Sequence, residues 1–273
     1  MSLRGGERTE NMYEFCIYFL IFAFLGWCSE VCFAAYKDGK FVNRGFLNGP
    51  VCPIYGFGVA GVHFVTGLIE NDAVLVVVSF LLPSLLELVT GFVLEKVFHH
   101  KWWDYSNERW NVGGYICARF SLLWGLVCIA AVKIIFPLVD KFIEVLPVTQ
   151  TKIVVIILLS LAVIDFIGTI MTIVKLNSRL KAIDALNAKI HAASDKIGKP
   201  FADGTLSLIA AKKKLAENSS VFVRRIVAAF PSMSTKKYKS FAEFKAALLE
   251  KKAAKKASAA ENRAEDENKQ NIE

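Results

Sequence analysis

Charge is scarce in this 273-residue chain: Asp, Glu, Lys and Arg make up 21% of it, below the ~25% of an average soluble domain, while hydrophobic residues reach 54%. Histidine is rarer still, with four residues. Neither H-E-x-x-H nor a pair of C-x-x-C motifs occurs, which removes the strong zinc signals, and no metal site or cofactor is expected. Cys28 and Cys32 lie one helical turn apart and read as small apolar membrane residues. No G-x-x-x-x-G-K-[ST] is present, so the chain is not expected to hold and hydrolyse ATP itself. Six scattered cysteines exclude a small disulfide-stapled secreted module, and the hydrophobicity excludes disorder over the whole length.

What is abundant is long apolar sequence. Five stretches, Phe15–Tyr36, Val51–Ile69, Ala73–Phe98, Ile116–Val139 and Ile153–Leu176, carry few charges. A hydrocarbon core about 30 Å thick needs about 20 helical residues, and the five reach or approach that length. Runs such as VLVVVSFLLPSLLELV have almost no polar face and no polar alternation, so neither a soluble amphipathic helix nor a strand is expected. The fold class predicted is all-α: a polytopic membrane bundle of about five transmembrane helices with a basic tail. The second stretch is the weakest. It is short, starts beside Pro50 and Pro53, and holds four glycines. A full span packed closely through Gly56, Ala60 and Gly61 is favoured over a re-entrant segment.

The charge is unevenly spread. Residues 1–174 hold 12 Lys and Arg against 14 Asp and Glu, residues 175–273 hold 21 against 11. Lys37, Lys40 and Arg44 follow the first stretch, Lys101 and Arg109 the third, and the basic tail the fifth. The positive-inside bias puts these on the cytoplasmic side, with the N-terminus outside. The expected division is a transmembrane domain over 1–176, a basic helical cytoplasmic tail over 177–257 and a disordered C-terminus over 258–273. Within the tail, Leu176, Leu180, Ile183, Leu186 and Ile190 share a helical face, Gly198-Lys199-Pro200 breaks the helix, and Pro231 separates further helical pieces near 205–229 and 241–260. Its lysines and arginines suit anionic headgroups or solvent; no nucleic-acid motif accompanies them, so nucleic acid is not an expected partner.

Ionisable residues inside the apolar stretches point to function, because a charge at mid-span costs roughly 2.5–3.5 kcal/mol on insertion scales. Glu30, Glu87, Asp165, Lys133 and Arg119 are such residues. Glu87, Gly91 and Glu95 fall on one helical stripe. Two readings are open: a polar pathway involving Glu30, Glu87 and Glu95, or a charge-paired lock with Arg44 or Arg119. Two interfacial segments carry further chemistry. Asn43, Arg44 and Asn48 offer donors among the turn-forming Gly45, Gly49 and Pro50. Trp103, Asp104, Tyr105 and Asn111 lie in the second, where pure headgroup anchoring is the plainer role for the aromatics. Both fall on the predicted cytoplasmic side and are expected to fold into one vestibule or docking platform.

In order along the chain, FLGWCSEV at Phe24–Val31, FVNRGFLNGPVCPIYGFG at Phe41–Gly58, LLELVTGFVLEKVF at Leu85–Phe98, WWDYS at Trp102–Ser106 and NVGGYICARFSLLWG at Asn111–Gly125 resemble the bacterial putative ABC-transporter type IV family of multi-pass membrane proteins. The resemblance covers about residues 14–170 and leaves out the tail. It implies a permease component for an unidentified solute, working with a separate ATPase subunit and, as five spans are few, with a second copy or partner. A non-transporting scaffold that binds partners or anionic lipid is the alternative. An enzyme using Glu30, Asp104 or Glu87 as acid or base ranks last, for want of nucleophile and metal signatures.

Overall fold

The computed structural model describes residues 3–67, 69, 71–194, 209–211, 214–215 and 219–249. In order they form α1 (Leu3–Asp38), α2 (Pro53–Thr66), α3 (Asp72–Phe98), a hairpin of β1 (Asn111–Val112) and β2 (Ile116–Cys117), α4 (Ala118–Ala130), a π-helical turn (Ala131–Ile135), α5 (Phe136–Glu144), α6 (Val148–Ser194) and α7 (Val221–Ala229). Two compact units result. One holds the residues up to Met171 with Ala228–Met233; the other holds Thr172–Val227 and the described residues from Ser234 on.

In the first unit, Met12–Lys37, Asp72–Phe98 and Ala118–Glu144 are long and apolar enough to cross a bilayer, as is Val148–Ala192, the fourth such helix, which continues beyond this unit. Large apolar side chains face outward, among them Val77, Leu81 and Leu85 on α3 and Ile156, Leu161 and Ile164 on α6. Such a surface matches hydrocarbon rather than water. This is a helical membrane protein.

The second apolar stretch, Val51–Ile69, departs from a single helical span. α2 has 14 residues, about 21 Å of helix against a core of about 30 Å. Residues 39–52 are irregular and fold back beside α1, so that the Cys52 N–H donates to the Ala23 carbonyl at 2.9 Å, close to the middle of Met12–Lys37. Helix begins there because Pro53 takes the first helical position, where its missing N–H is not needed. From that point α2 runs antiparallel to the first half of α1. His63 stacks on Tyr18 at 4.0 Å and Phe64 meets Phe15 at 5.6 Å. An irregular half and a helical half thus follow one another along α1. Of the three small residues expected to bring helices close, Gly56 and Ala60 are buried, whereas Gly61 faces open space.

Asn71 caps α3, its side chain accepting from the Ala73 and Val74 N–H groups. α3 then packs along α4, with the Phe80 ring lodged against Gly125. The helix predicted to start at Ile116 starts at Ala118, because Ile116 and Cys117 pair with Val112 and Asn111 across a turn in which Gly113 and Gly114 take positive φ. At the opposite end of the bundle, Tyr18, Phe22, Ala60, Val62, Cys128, Ala131, Phe136 and Val139 form a buried cluster.

The second unit buries Ile173, Leu176, Leu180 and Ile183 of α6, Val223 and Ile226 of α7, and Tyr238, Phe241, Phe244 and Leu248. The Ser240 N–H donates to Asp184 at 2.9 Å at the start of a helical segment over 241–249. The predicted break at Gly198-Lys199-Pro200, most of the helical piece before Val221 and the C-terminus from Ser258 lie outside the described residues.

Candidate functional site

Two segments that leave the same end of the bundle fold inward. The first is 39–52. Backbone at membrane depth must find partners within the protein, and Asn43 supplies several. Its Oδ1 accepts from Trp27 Nε1 at 2.9 Å and from the Gly45 N–H at 3.1 Å, and its Nδ2 donates to the Asn48 carbonyl at 2.7 Å. Asp165 of α6 completes the set. It accepts from Asn48 Nδ2 at 2.7 Å and from the Gly49 N–H at 2.7 Å, while Asn48 also lies 3.2 Å from the Thr169 hydroxyl. Arg44, carried by this segment, faces Glu30 with Nε 3.4 Å from Oε2 and lies over the Phe33 ring. The other Glu30 oxygen accepts from the Tyr55 hydroxyl at 2.7 Å.

The second inward segment is 99–117. Lys101 closes it, bonding Asp104 at 2.8 Å and the Gly113 carbonyl at 2.9 Å. Burial opposes ionisation of Asp104, but its bonds from Lys101 and Ser106 prevail and hold the carboxyl below the ordinary range. Asn111 bonds the Ser106 and Glu108 carbonyls and the Gly114 N–H. Trp103 Nε1 donates to the Tyr115 carbonyl at 2.8 Å. The segment lies along the stripe of α3: Tyr105 donates to Glu87 at 3.2 Å, Trp103 and Tyr115 flank Gly91, and Tyr115 donates to Glu95 at 2.8 Å. Burial, and then the neighbouring Glu87, push the Tyr105 phenol well up, so it stays a donor. Its ring stacks on Phe120 at 4.7 Å.

The two segments meet through aromatic rings, Phe46 against Trp102 at 5.0 Å; Phe46 also meets Phe166 of α6 at 6.2 Å, and Trp102 meets Phe230 at 4.8 Å. The polar residues of the second segment bond within it and to α3. Among the described residues neither Asp104 nor Asn111 bonds the Arg44 segment.

The charges are therefore distributed unequally. Glu30 has Arg44, and Asp165 has an amide and a main-chain N–H. Glu87 is 9% exposed; its Oε1 has the Tyr105 phenol, and its Oε2 is buried without a hydrogen-bond partner among the described residues. Arg119 lies over the Phe120 ring and forms no ion pair among the described residues. Three members of this arrangement were not singled out as site residues by sequence: Tyr55, Asp165 and Thr169. Asp165 gave a signal, a carboxyl in an apolar run, but its partners lie 116 and 117 positions away. Tyr18, which donates to Asp140 and stacks on His63, forms a separate polar contact toward the other end of the bundle.

A chain with this bundle can be compared with known proteins. The profile of the Putative ABC-transporter type IV family matches residues 17–170, more than half of the sequence. The chain belongs to that family. The match covers both inward segments and the Glu30, Glu87 and Asp165 carboxyls, and it stops where the first unit gives way to the second. No curated protein and no solved structure matches the chain.

Proposed function

We propose that this protein is a permease component: the membrane-embedded part of a transport system, moving a solute along the polar interior that Glu30, Arg44, Tyr55, Tyr105 and Glu87 line. The observation that carries the reading is Glu87. A carboxyl at mid-helix, closed off from lipid and with one oxygen left over, is costly as a structural element alone, and a passing group that donates hydrogen bonds or carries positive charge would satisfy it. The family's name agrees with the reading. In it the N-terminus lies outside, the basic loops and tail lie in the cytoplasm, and this chain performs no catalysis. ATP hydrolysis falls to a separate subunit, and a second copy of the chain completes the path.

The second unit favours another reading. Its exposed Lys236, Lys237 and Lys239 suit a partner or anionic lipid, as a non-transporting scaffold or regulator would need. Purification from membranes with bound partners, followed by solute uptake in proteoliposomes, separates the two. Co-purification of an ATPase, with uptake that falls at least ~10-fold in Glu87→Gln while the protein remains monodisperse, is the expected outcome. A protein without ATPase partner or flux that loses bound proteins when Lys236, Lys237 and Lys239 are neutralised would favour the scaffold.

A further inference from the structure

We propose that Asp165 is a positioning residue for the Glu30–Arg44 pair: through the turn 43–49 it sets where Arg44 sits, so that α6 and Glu30 of α1 hold the inward segment jointly. The proposal rests on reading that pair as part of the solute path.

Asn43 makes the turn a small rigid body. Its amide spans the turn, accepting from Gly45 N–H and donating to the Asn48 carbonyl, and is itself fixed by Trp27. Arg44 and Asn48 are thus two handles on one piece. Arg44 reaches Glu30 on α1, and Asn48 with Gly49 reaches Asp165 on α6. The α6 side of this attachment comes from one face of the helix. Phe166 meets Phe46, Thr169 meets Asn48, and the outward faces around them, at Ile164, Ile167 and Met171, are exposed. Beside the Phe46–Phe166 contact, the two short bonds to Asp165 are direct polar ties between α6 and the turn. A shift of α6 would draw Asn48 with it, and the rigid turn would carry Arg44 away from Glu30.

Cys52, 5% exposed at the inner end of the segment, is a native reporter of that movement. The test uses the full-length protein in native membranes with Cys52 as its only cysteine, and N-ethylmaleimide as the probe. Asp165→Ala is expected to raise the alkylation rate of Cys52 roughly tenfold or more, by opening this segment locally. Asp165→Asn keeps one acceptor for Asn48 and loses the second, so its rate should fall between. Because both handles belong to one body, Asp165→Ala combined with Glu30→Ala should be no faster than the faster single variant. A second background, with Cys128 as the only cysteine, reports global loosening; Cys128 lies in the core cluster with Ala131 and Phe136 and should stay protected in every variant. An unchanged Cys52 rate in Asp165→Ala, rates that multiply in the double variant, or Cys128 and Cys52 rising together would each overturn the proposal. Absent uptake with this labelling pattern intact would count against the transport reading instead.

Discussion

Gly56 decides how closely α1 and α2 can approach. A Cβ there would lie 2.6 Å from the Phe19 carbonyl oxygen and equally close to the Phe19 ring. A ring can rotate, but a helical carbonyl cannot leave without moving its helix. Gly56→Ala is therefore expected to destabilise the protein by about 1–3 kcal/mol, as overpacking does. Gly61, one and a half turns on, meets nothing within 4 Å, and Gly61→Ala should change stability by less than ~0.5 kcal/mol. Thermal unfolding in detergent compares the two; equal effects would mean that α2 does not sit on α1 as described. The sequence held these glycines in one undifferentiated group, since which face of a short helix meets a neighbour is a tertiary fact. The acids were easier, because a carboxyl stands out in an apolar run. Their partners were harder: Tyr105 stood out only as a platform residue, not as the partner of Glu87, and Tyr55 looks like any interfacial aromatic until the chain is folded.

Among the elements, the long helices were legible because some 20 apolar residues in a row leave few alternatives. The half-helix α2 was harder to read, since hydropathy averages over 51–69 and cannot register that residues before Pro53 obtain their hydrogen bonds from Ala23, Asn43 and Asp165. The π turn was equally hidden, although its cause is local. Pro137 has no N–H for the carbonyl of Lys133 and its ring crowds that carbonyl; the helix answers by widening over Ala131–Ile135. One extra residue in a turn rotates everything after it by about 100°. That rotation helps bring Asp140 to the Tyr18 hydroxyl and buries Val139. A double-mutant cycle of Tyr18→Phe and Asp140→Asn should give a coupling of about 0.5–1.5 kcal/mol. In a Pro137→Ala background, where the regular helix can continue, the coupling should vanish into the error. A coupling that persists would mean that packing, not the proline, sets the register of α5.

At the scale of the whole molecule, the segmented crossing fixes the parity of the bundle. Suppose 39–66 only dipped into the membrane and returned. Then α3 would start on the side where α1 ends, and the loops holding Lys40 and Asn107 would face opposite compartments. If instead the irregular half and α2 together complete a crossing, both loops share a side, as the contact of Phe46 with Trp102 requires, and the turn at Val145 lies on the other. On the positive-inside rule the shared side is then expected to be cytoplasmic, because it carries Lys37, Lys40, Arg44, Lys101 and Arg109. Single cysteines at these three exposed positions, in an otherwise cysteine-free background, can be tested with a membrane-impermeant maleimide on intact cells. Val145→Cys should label at once, and Lys40→Cys and Asn107→Cys only after permeabilisation. Labelling of Asn107→Cys but not Lys40→Cys from outside would reduce the crossings to four. It would also separate the two inward segments, and with them the shared polar interior on which both the permease reading and the role of Asp165 depend.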